Sequence, residues 1–157
     1  MNSHHTVAIG TWEGDKQQSI EYNSSIAVGI DCPRAKLRVS ILLDTIQEYQ
    51  VRYIFSDEEI SEAVNEAGLI IGARGIAYEG VLQRKPVIVV GEYGFGGLVT
   101  PDTLHEQYNN YFRGKINGIK AEYFSLERLE EEIRRGFALT FQELQMMSNQ
   151  TIRFLHN

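Results

Sequence analysis

The chain has 157 residues, 43% of them hydrophobic and 23% charged, and its formal net charge of -6, with no basic patch, argues against nucleic acid as a partner. No apolar run is long enough to span a bilayer and no signal-peptide pattern opens the chain, so we expect a soluble protein without a transmembrane segment. The length suffices for one domain, and the presence of one cysteine fits a reducing, cytoplasmic setting. The single cysteine, Cys32, excludes an internal disulfide and any multi-cysteine metal site.

Residues 1–25 are interpreted as a tail or linker that includes at most an edge strand, over residues 6–10. The adjacent pair His4 and His5 is not interpreted as a metal site, because neighbouring side chains at a terminus rarely converge on one ion. The folded domain is therefore expected over residues 26–157.

Short apolar runs and helical spacings alternate through the middle of the chain. The pattern predicts buried strands at residues 6–10, 26–30, 51–55, 69–71 and 87–90. One helix is expected from Pro33 to about residue 49, and a second begins at a capping box formed by Ser56 and Glu59. Two more are expected over residues 76–83 and after Thr100. Strands that alternate with helices predict an α/β sandwich with a mainly parallel sheet.

The last third of the chain is predicted to be one long helix or two, beginning at Ser125, with Gly136 as the residue that bends or breaks it. The acidic triplet at residues 130–132 lies near the start of this helix, where the helix dipole favours negative charge. We interpret the triplet as a solvent-exposed face.

One turn and one loop are the candidate ligand sites. In the turn, Gly72, Ala73, Arg74 and Gly75 follow a strand and open a helix, so an anion can meet free N–H groups there and a charge-assisted bond from Arg74. Glu79 lies one helical turn further, where it either accepts hydrogen bonds from a sugar diol or simply stabilises the start of the helix. The loop at residues 91–97 has four glycines, which suits either backbone approach to a ligand or a mobile surface loop.

Other sites are not supported by the residues. The turn matches neither the P-loop nor the dinucleotide fingerprint, and no Asp-x-Asp pair or Gly-x-Ser-x-Gly elbow occurs. His105 and His156 are interpreted as surface histidines, while Cys32 is equally a small core residue or a nucleophile. Hydrolase and metalloenzyme functions are therefore not predicted.

Three segments carry a resemblance to a known family: Gly-Leu-Ile-Ile-Gly-Ala-Arg-Gly-Ile-Ala-Tyr-Glu at 68–79, Gln-Arg-Lys-Pro-Val-Ile-Val-Val at 83–90 and Gly-Phe-Gly-Gly-Leu-Val-Thr-Pro-Asp at 94–102. They resemble the C-terminal, donor-binding domain of GT-B glycosyltransferases. The resemblance implies a Rossmann-like three-layer sandwich in which the turn at 72–75 holds a diphosphate, Arg74 is the catalytic residue and Glu79 binds the ribose. It further implies that Gly94, Phe95, Gly96 and Gly97 contact the sugar or pyrophosphate.

The implied activity is the transfer of a hexose from a nucleotide-diphosphate sugar to a cell-surface glycan, with no metal and no cofactor. An N-terminal acceptor-binding domain or a partner chain is expected to complete the enzyme, because this chain supplies one domain of the two. The sequence departs from the family at Ile71, where many retaining members have a second glutamate, and in the short segment between Val51 and Gly68. The alternative is a non-catalytic nucleotide-sugar-binding or interaction module, and an epimerase-like protein is a third possibility for which no acid/base groups are identified.

Overall fold

The computed structural model describes residues 4–13, 16–115 and 118–156, with the backbone alone for residues 4–22. The strands in these ranges are β1 His4–Glu13, β2 Lys16–Asn23, β3 Ser25–Gly29, β4 Gln50–Tyr53, β5 Leu69–Gly72, β6 Val87–Gly91 and β7 Gly94–Leu98. The α-helices are α1 Pro33–Ile46, α2 Ile60–Glu66, α3 Gly75–Leu82, α4 Leu104–Asn109, α5 Leu126–Phe137 and α6 Phe141–Leu155, and a 3₁₀ turn, Asp57–Glu59, precedes α2.

The central sheet has five strands in the order β4-β3-β5-β6-β7. The pairs β3–β4, β3–β5 and β5–β6 are parallel, whereas β7 runs antiparallel to β6. The prediction of an α/β fold with a mainly parallel sheet is therefore confirmed. The chain moves from β3 to β4 on one side and then to β5 on the other, so the strand order reverses between β3 and β5.

The inner parallel strands β3, β5 and β6 are buried on both faces, which is why they read as continuous apolar runs, whereas the edge strand β4 is only partly buried. In β3, Ile26 and Val28 pack with residues of α1 and α5, and Ala27 between them packs with residues of α2 and α3. This alternation follows from the period of two in a strand.

The first predicted strand, residues 6–10, lies within β1, but it does not join the central sheet. β1 pairs with β2 in a separate antiparallel sheet, with Val7 opposite Ile20. The polar segment that follows residue 10, interpreted from sequence as part of a tail or linker, contains β2. Residues 1–3 lie outside the described residues.

The last third of the chain forms two helices, which is one of the two predicted alternatives, but Gly136 does not itself mark the break. The break falls between Phe137 and Phe141, after Gly136. Gly136 stays inside α5 because it packs closely on the sheet, where a Cβ atom would lie 2.9 Å from Leu69 Cδ1. Thr140 begins the second helix, since its side chain accepts a hydrogen bond from the Glu143 N–H.

The helix predicted after Thr100 starts later than expected. Residues 101–103 form a turn, in which the Thr103 hydroxyl accepts a hydrogen bond from the Thr100 N–H at 2.8 Å, and α4 begins at Leu104.

Candidate functional site

A cleft of about 660 Å³ opens at the carboxyl edge of the sheet. It is lined by residues at or just after the ends of four parallel strands, which are Gly29 for β3, Ile54 for β4, Ala73 for β5 and Gly91 for β6. Open α/β sheets bind ligands beyond the carboxyl ends of their strands where the strand order reverses, and the β3–β5 boundary lies in this cleft. The topology alone therefore marks this cleft as the candidate site.

The predicted turn contributes three of its four residues to the cleft, namely Ala73, Arg74 and Gly75. Gly72 is not among the described residues that line it. Gly72 is buried at the end of β5, where a Cβ would lie 2.5 Å from the Gly29 carbonyl oxygen, so this glycine is required by strand packing.

Part of the hydrogen-bonding capacity expected at the turn is used within the protein. The Ala73 N–H donates to the Gly29 carbonyl at 3.3 Å, and the Arg74 N–H donates to the Phe112 carbonyl at 3.0 Å. An anion in the cleft would therefore meet the Arg74 side chain and the start of α3 at Gly75, rather than every N–H of the turn.

Arg74 has a strained backbone. Its φ of 59° and ψ of -126° are a conformation that favours glycine, and it immediately precedes α3. Tyr111, which also lines the cleft, and Phe112 have positive φ values of 60° and 54°. Strained residues of this kind concentrate at functional sites, and here they face each other across the Arg74–Phe112 hydrogen bond.

Glu79 lies on α3 but not among the described residues that line the cleft. Its Oε2 accepts a hydrogen bond from Gln83 Nε2 at 2.8 Å, and the same nitrogen donates to the Ser61 carbonyl at 3.3 Å. Glu79 is thereby directed toward the contact between α3 and α2.

The prediction of a loop over residues 91–97 is wrong for most of that segment. Glu92 and Tyr93 form a turn, and Gly94, Phe95, Gly96 and Gly97 belong to strand β7, which contributes none of the described residues that line the cleft. Gly94 lies at the carboxyl edge opposite Gly91, whereas Gly97 pairs with Val89 inside the sheet and Phe95 is buried.

Packing explains the glycine at position 97. Its φ is 77°, and a Cβ there would lie 2.7 Å from the Glu132 Oε1. The glycine-rich composition therefore reflects a strand with close neighbours.

Several cleft residues were missed from sequence. Asp31 and Cys32 follow β3, Phe55, Ser56 and Asp57 follow β4, and Glu92 follows β6. Their position is the signal that identifies them: ligands bind beyond the carboxyl ends of parallel strands, and β3 and β4 end at the same edge of the sheet as β5 and β6.

The cleft combines both signs of charge. Arg74 Nη1 lies 3.8 Å from Glu92 Oε1, and Arg113 Nε approaches the same oxygen at 3.6 Å, although Arg113 is not itself among the described residues that line the cleft. Asp31 and Asp57 add carboxylates on the side of the cleft formed by β3 and β4.

The predicted capping residue Glu59 organises the segment that holds Ser56 in the cleft. Its Oε2 accepts hydrogen bonds from the Phe55 and Ser56 N–H groups, both at 3.1 Å. The hydrogen bond from the Phe55 N–H is the main cause that holds the pKa of the Glu59 carboxyl below its ordinary value of 4.5, with the Ser56 N–H adding to it.

Glu59→Gln should therefore remove a pH-dependent contribution to stability. Because the folded state lowers this pKa, the contribution is complete above the ordinary value of 4.5 and is lost as the pH falls through the lower folded value. The free energy of unfolding, measured in urea from neutral to acidic pH, should be larger for the wild type than for Glu59→Gln, and this difference should shrink in the acidic range. Glu58→Gln, at the neighbouring exposed acid, is the matched control. If the difference in free energy of unfolding between the wild type and Glu59→Gln does not change with pH, the folded state does not lower the pKa of Glu59.

Two features are absent from residues 4–13, 16–115 and 118–156, namely a metal-binding cluster and a membrane-spanning helix. No group of three His, Cys, Asp or Glu side chains within those residues is arranged to hold a metal ion. None of the described helices is both long enough and apolar enough to cross a bilayer.

No family model, curated protein or solved structure matches this chain. Its function must therefore be argued from the cleft and from the residues that line it.

Proposed function

We propose that the chain is the donor-binding domain of a glycosyltransferase, which binds a nucleotide-diphosphate sugar for transfer to a cell-surface glycan. In this proposal the fold is a Rossmann-like three-layer sandwich, as in the C-terminal half of a GT-B enzyme. The domain acts in the cytoplasm, without a metal, and with an acceptor-binding domain or partner chain that completes the site.

The observation that carries the proposal is the position of Arg74. Its side chain lines the cleft where the strand order reverses, and Gly75 beside it begins α3. A guanidinium group and the positive end of a helix dipole both favour a diphosphate. The cleft volume of about 660 Å³ lies in the range typical of small-molecule sites.

The chemistry that these residues support is stabilisation of a leaving group. When the bond between the sugar and the diphosphate breaks, negative charge grows on the diphosphate, and a fixed cation beside it lowers the barrier. Arg74 is the proposed catalytic residue for this reason, and the walls of the cleft would hold the donor in position. Glu79 would bind the ribose after exchanging its hydrogen bond from Gln83 for one from a ribose hydroxyl.

Among residues 94–97, only Gly94, together with the turn before it, would contact the donor directly. Gly94 lies at the carboxyl edge, so sugar or pyrophosphate can approach it there. Phe95, Gly96 and Gly97 would contribute indirectly, by forming the strand that supports this turn.

Ligand-observed NMR with UDP, GDP, ADP, CDP and inorganic pyrophosphate tests the proposal on the full chain. Arg74→Gln should weaken binding of the preferred nucleotide and of pyrophosphate by at least about tenfold, since a charge-assisted bond to an anion contributes roughly 1.5–3 kcal/mol. Glu79→Ala should weaken the nucleotide by a similar factor and leave pyrophosphate unchanged, because pyrophosphate has no ribose.

The two variants separate the outcomes. Unchanged nucleotide affinity in Glu79→Ala would remove Glu79 from the site while leaving Arg74 in place. If neither a nucleotide nor pyrophosphate binds at millimolar concentration, the donor-site proposal is wrong.

A second candidate is a binding module that does not catalyse transfer. The specific observation in its favour is Ile71, which stands where many retaining members of the GT-B family have a glutamate and which is fully buried in β5. A buried isoleucine cannot hold a donor sugar by hydrogen bonds. Donor hydrolysis or transfer by the chain together with an acceptor-domain partner would favour the enzyme, whereas tight donor binding without turnover would favour the module.

A further inference from the structure

Two arginines from different parts of the chain converge on one carboxylate at the mouth of the cleft. Arg74 precedes α3, Arg113 follows α4, and Glu92 lies in the turn between β6 and β7. Glu92 Oε1 is 3.8 Å from Arg74 Nη1 and 3.6 Å from Arg113 Nε. Sequence gave no reason to connect Arg113 with the site.

These contacts hold the three groups together only weakly. Both distances exceed those of a good charge-assisted hydrogen bond, which is about 2.7–2.9 Å. The Arg74, Glu92 and Arg113 side chains are 49%, 51% and 35% exposed. Exposed ion pairs add little to stability, so a more highly charged anion can displace the Glu92 carboxylate.

Arg113 is held in place independently of Glu92. Its Nη1 donates to the Tyr93 hydroxyl at 2.8 Å, and its guanidinium carbon lies 5.5 Å from the centre of the Tyr93 ring. The Arg113 carbonyl also accepts a hydrogen bond from the Tyr93 N–H at 2.9 Å. The guanidinium is thus positioned before any ligand arrives, which lowers the entropic cost of binding.

The Nε–H group of Arg113 donates no hydrogen bond to any of the described residues. It is shielded from solvent and has no hydrogen-bond acceptor, although it faces the Glu92 carboxylate. An unpaired buried donor is costly, and an oxygen placed closer than Glu92 Oε1 would satisfy it.

We infer that Arg113 is a second anion-binding residue of the cleft and that Glu92 occupies the position of the ligand's diphosphate until the ligand displaces it. This inference rests on the proposed function, because it names the groups that would receive the diphosphate. Binding exchanges one carboxylate for a group with more charge and more oxygen atoms, so both arginines gain hydrogen bonds. Glu92 then acts as a competitor that restricts the cleft to strongly charged anions.

The direct test is Glu92→Gln, measured by calorimetric titration of the full chain with inorganic pyrophosphate and with the preferred nucleoside diphosphate. Removing the competing charge should tighten the binding of both by roughly threefold to tenfold. The gain should shrink as salt is added, because ions screen exposed charges. Glu106→Gln, at an exposed acid on α4, is the matched control and should change neither affinity.

Arg113→Gln provides the second measurement. It should weaken pyrophosphate binding by about tenfold, and Arg113→Lys should recover only part of the affinity because a lysine lacks the planar pair of donors. Arg153→Gln, at an exposed arginine near the end of α6, controls for the loss of one positive charge. Thermal unfolding of each variant shows whether a change in affinity accompanies a change in folding.

The outcomes distinguish this inference from the proposed function. If wild-type binding depends on Arg74 but Glu92→Gln binds no more tightly, Glu92 is only a surface ion-pair partner and the inference is overturned while the donor site stands. If Arg113→Gln loses both binding and much of its thermal stability, its loss of affinity can come from misfolding. In that case the affinity of Glu92→Gln decides the question, because this substitution alters only an exposed side chain. If neither the wild type nor Glu92→Gln binds any of the anions, both proposals fail.

Discussion

Replacing Glu132 with alanine should destabilise the folded chain by roughly 1–3 kcal/mol, the cost of leaving a buried hydrogen-bond donor without its acceptor, because the two arginines paired with Glu132 are each 47% exposed and can be hydrated instead. The Glu132 side chain is only 3% exposed. Its Oε1 accepts a hydrogen bond from the Leu98 N–H at 2.7 Å, and its Oε2 lies 2.9 Å from Arg135 Nη1 and 3.8 Å from Arg128 Nε. The substitution leaves the Leu98 N–H without its acceptor in a dry environment and opens a cavity between α5 and the end of β7.

Urea unfolding measures this effect, with Glu130→Ala as the matched control, since Glu130 is exposed on the same helix and should change stability by less than about 0.5 kcal/mol. Glu132→Gln should have a smaller effect than Glu132→Ala, because its amide oxygen can still accept from the Leu98 N–H. Equal stability of Glu132→Ala and Glu130→Ala would show that the contact with β7 is not important for folding.

The inner strands of the sheet were predictable because their burial requires apolar residues at successive positions. The parallel strands β3, β5 and β6 are covered on both faces, so each appears as a run of apolar residues bounded by glycine or proline. The capping residues Ser56 and Ser125 similarly mark helix starts by local chemistry that requires no knowledge of the rest of the chain.

Features set by distant contacts were not predictable in this way. Residues 94–97 of strand β7 were predicted to be a loop because four glycines occur in residues 91–97. Position 97 favours glycine because its φ is 77° and because Glu132, 35 positions further along the chain, approaches it in the folded protein. Nothing in the local sequence of residues 94–97 contains that information.

Glu132 itself was interpreted as part of an exposed acidic face, and that interpretation was wrong. Glu130 and Glu131 are exposed, but Glu132 lies three residues after Leu129 and four before Gly136, both of which are buried. Helical residues at these spacings share a face. The phase of the helix, rather than the composition of the triplet, would have identified the buried acid.

The candidate site was predicted in part for the same reason. Arg74 and Gly75 could be assigned because a strand, a turn and a helix are adjacent in the sequence. The approach of Arg113 to Glu92 depends on α4 and the loop after it returning to the β6–β7 turn, which sequence periodicity does not determine.

Arg74→Gly should stabilise the fold and weaken ligand binding at the same time. The Arg74 backbone, with φ of 59° and ψ of -126°, has a conformation that costs a residue other than glycine about 1–3 kcal/mol. Glycine adopts it freely but loses more conformational entropy on folding, by about 0.4–1 kcal/mol relative to alanine. The N–H that donates to the Phe112 carbonyl is retained, so no hydrogen bond is lost.

The comparison with Arg74→Ala isolates the backbone contribution, because both variants lose the guanidinium and only glycine relieves the strain. We expect Arg74→Gly to be more stable than Arg74→Ala by about 1 kcal/mol in urea unfolding, and both to bind pyrophosphate at least about tenfold more weakly than the wild type. If glycine gives no gain over alanine, the backbone at this position is not strained. If both variants bind as the wild type does, Arg74 is strained for a reason other than anion binding. A gain in stability joined to a loss of binding would show that the chain accepts an unfavourable backbone at residue 74 in order to present a guanidinium to the cleft.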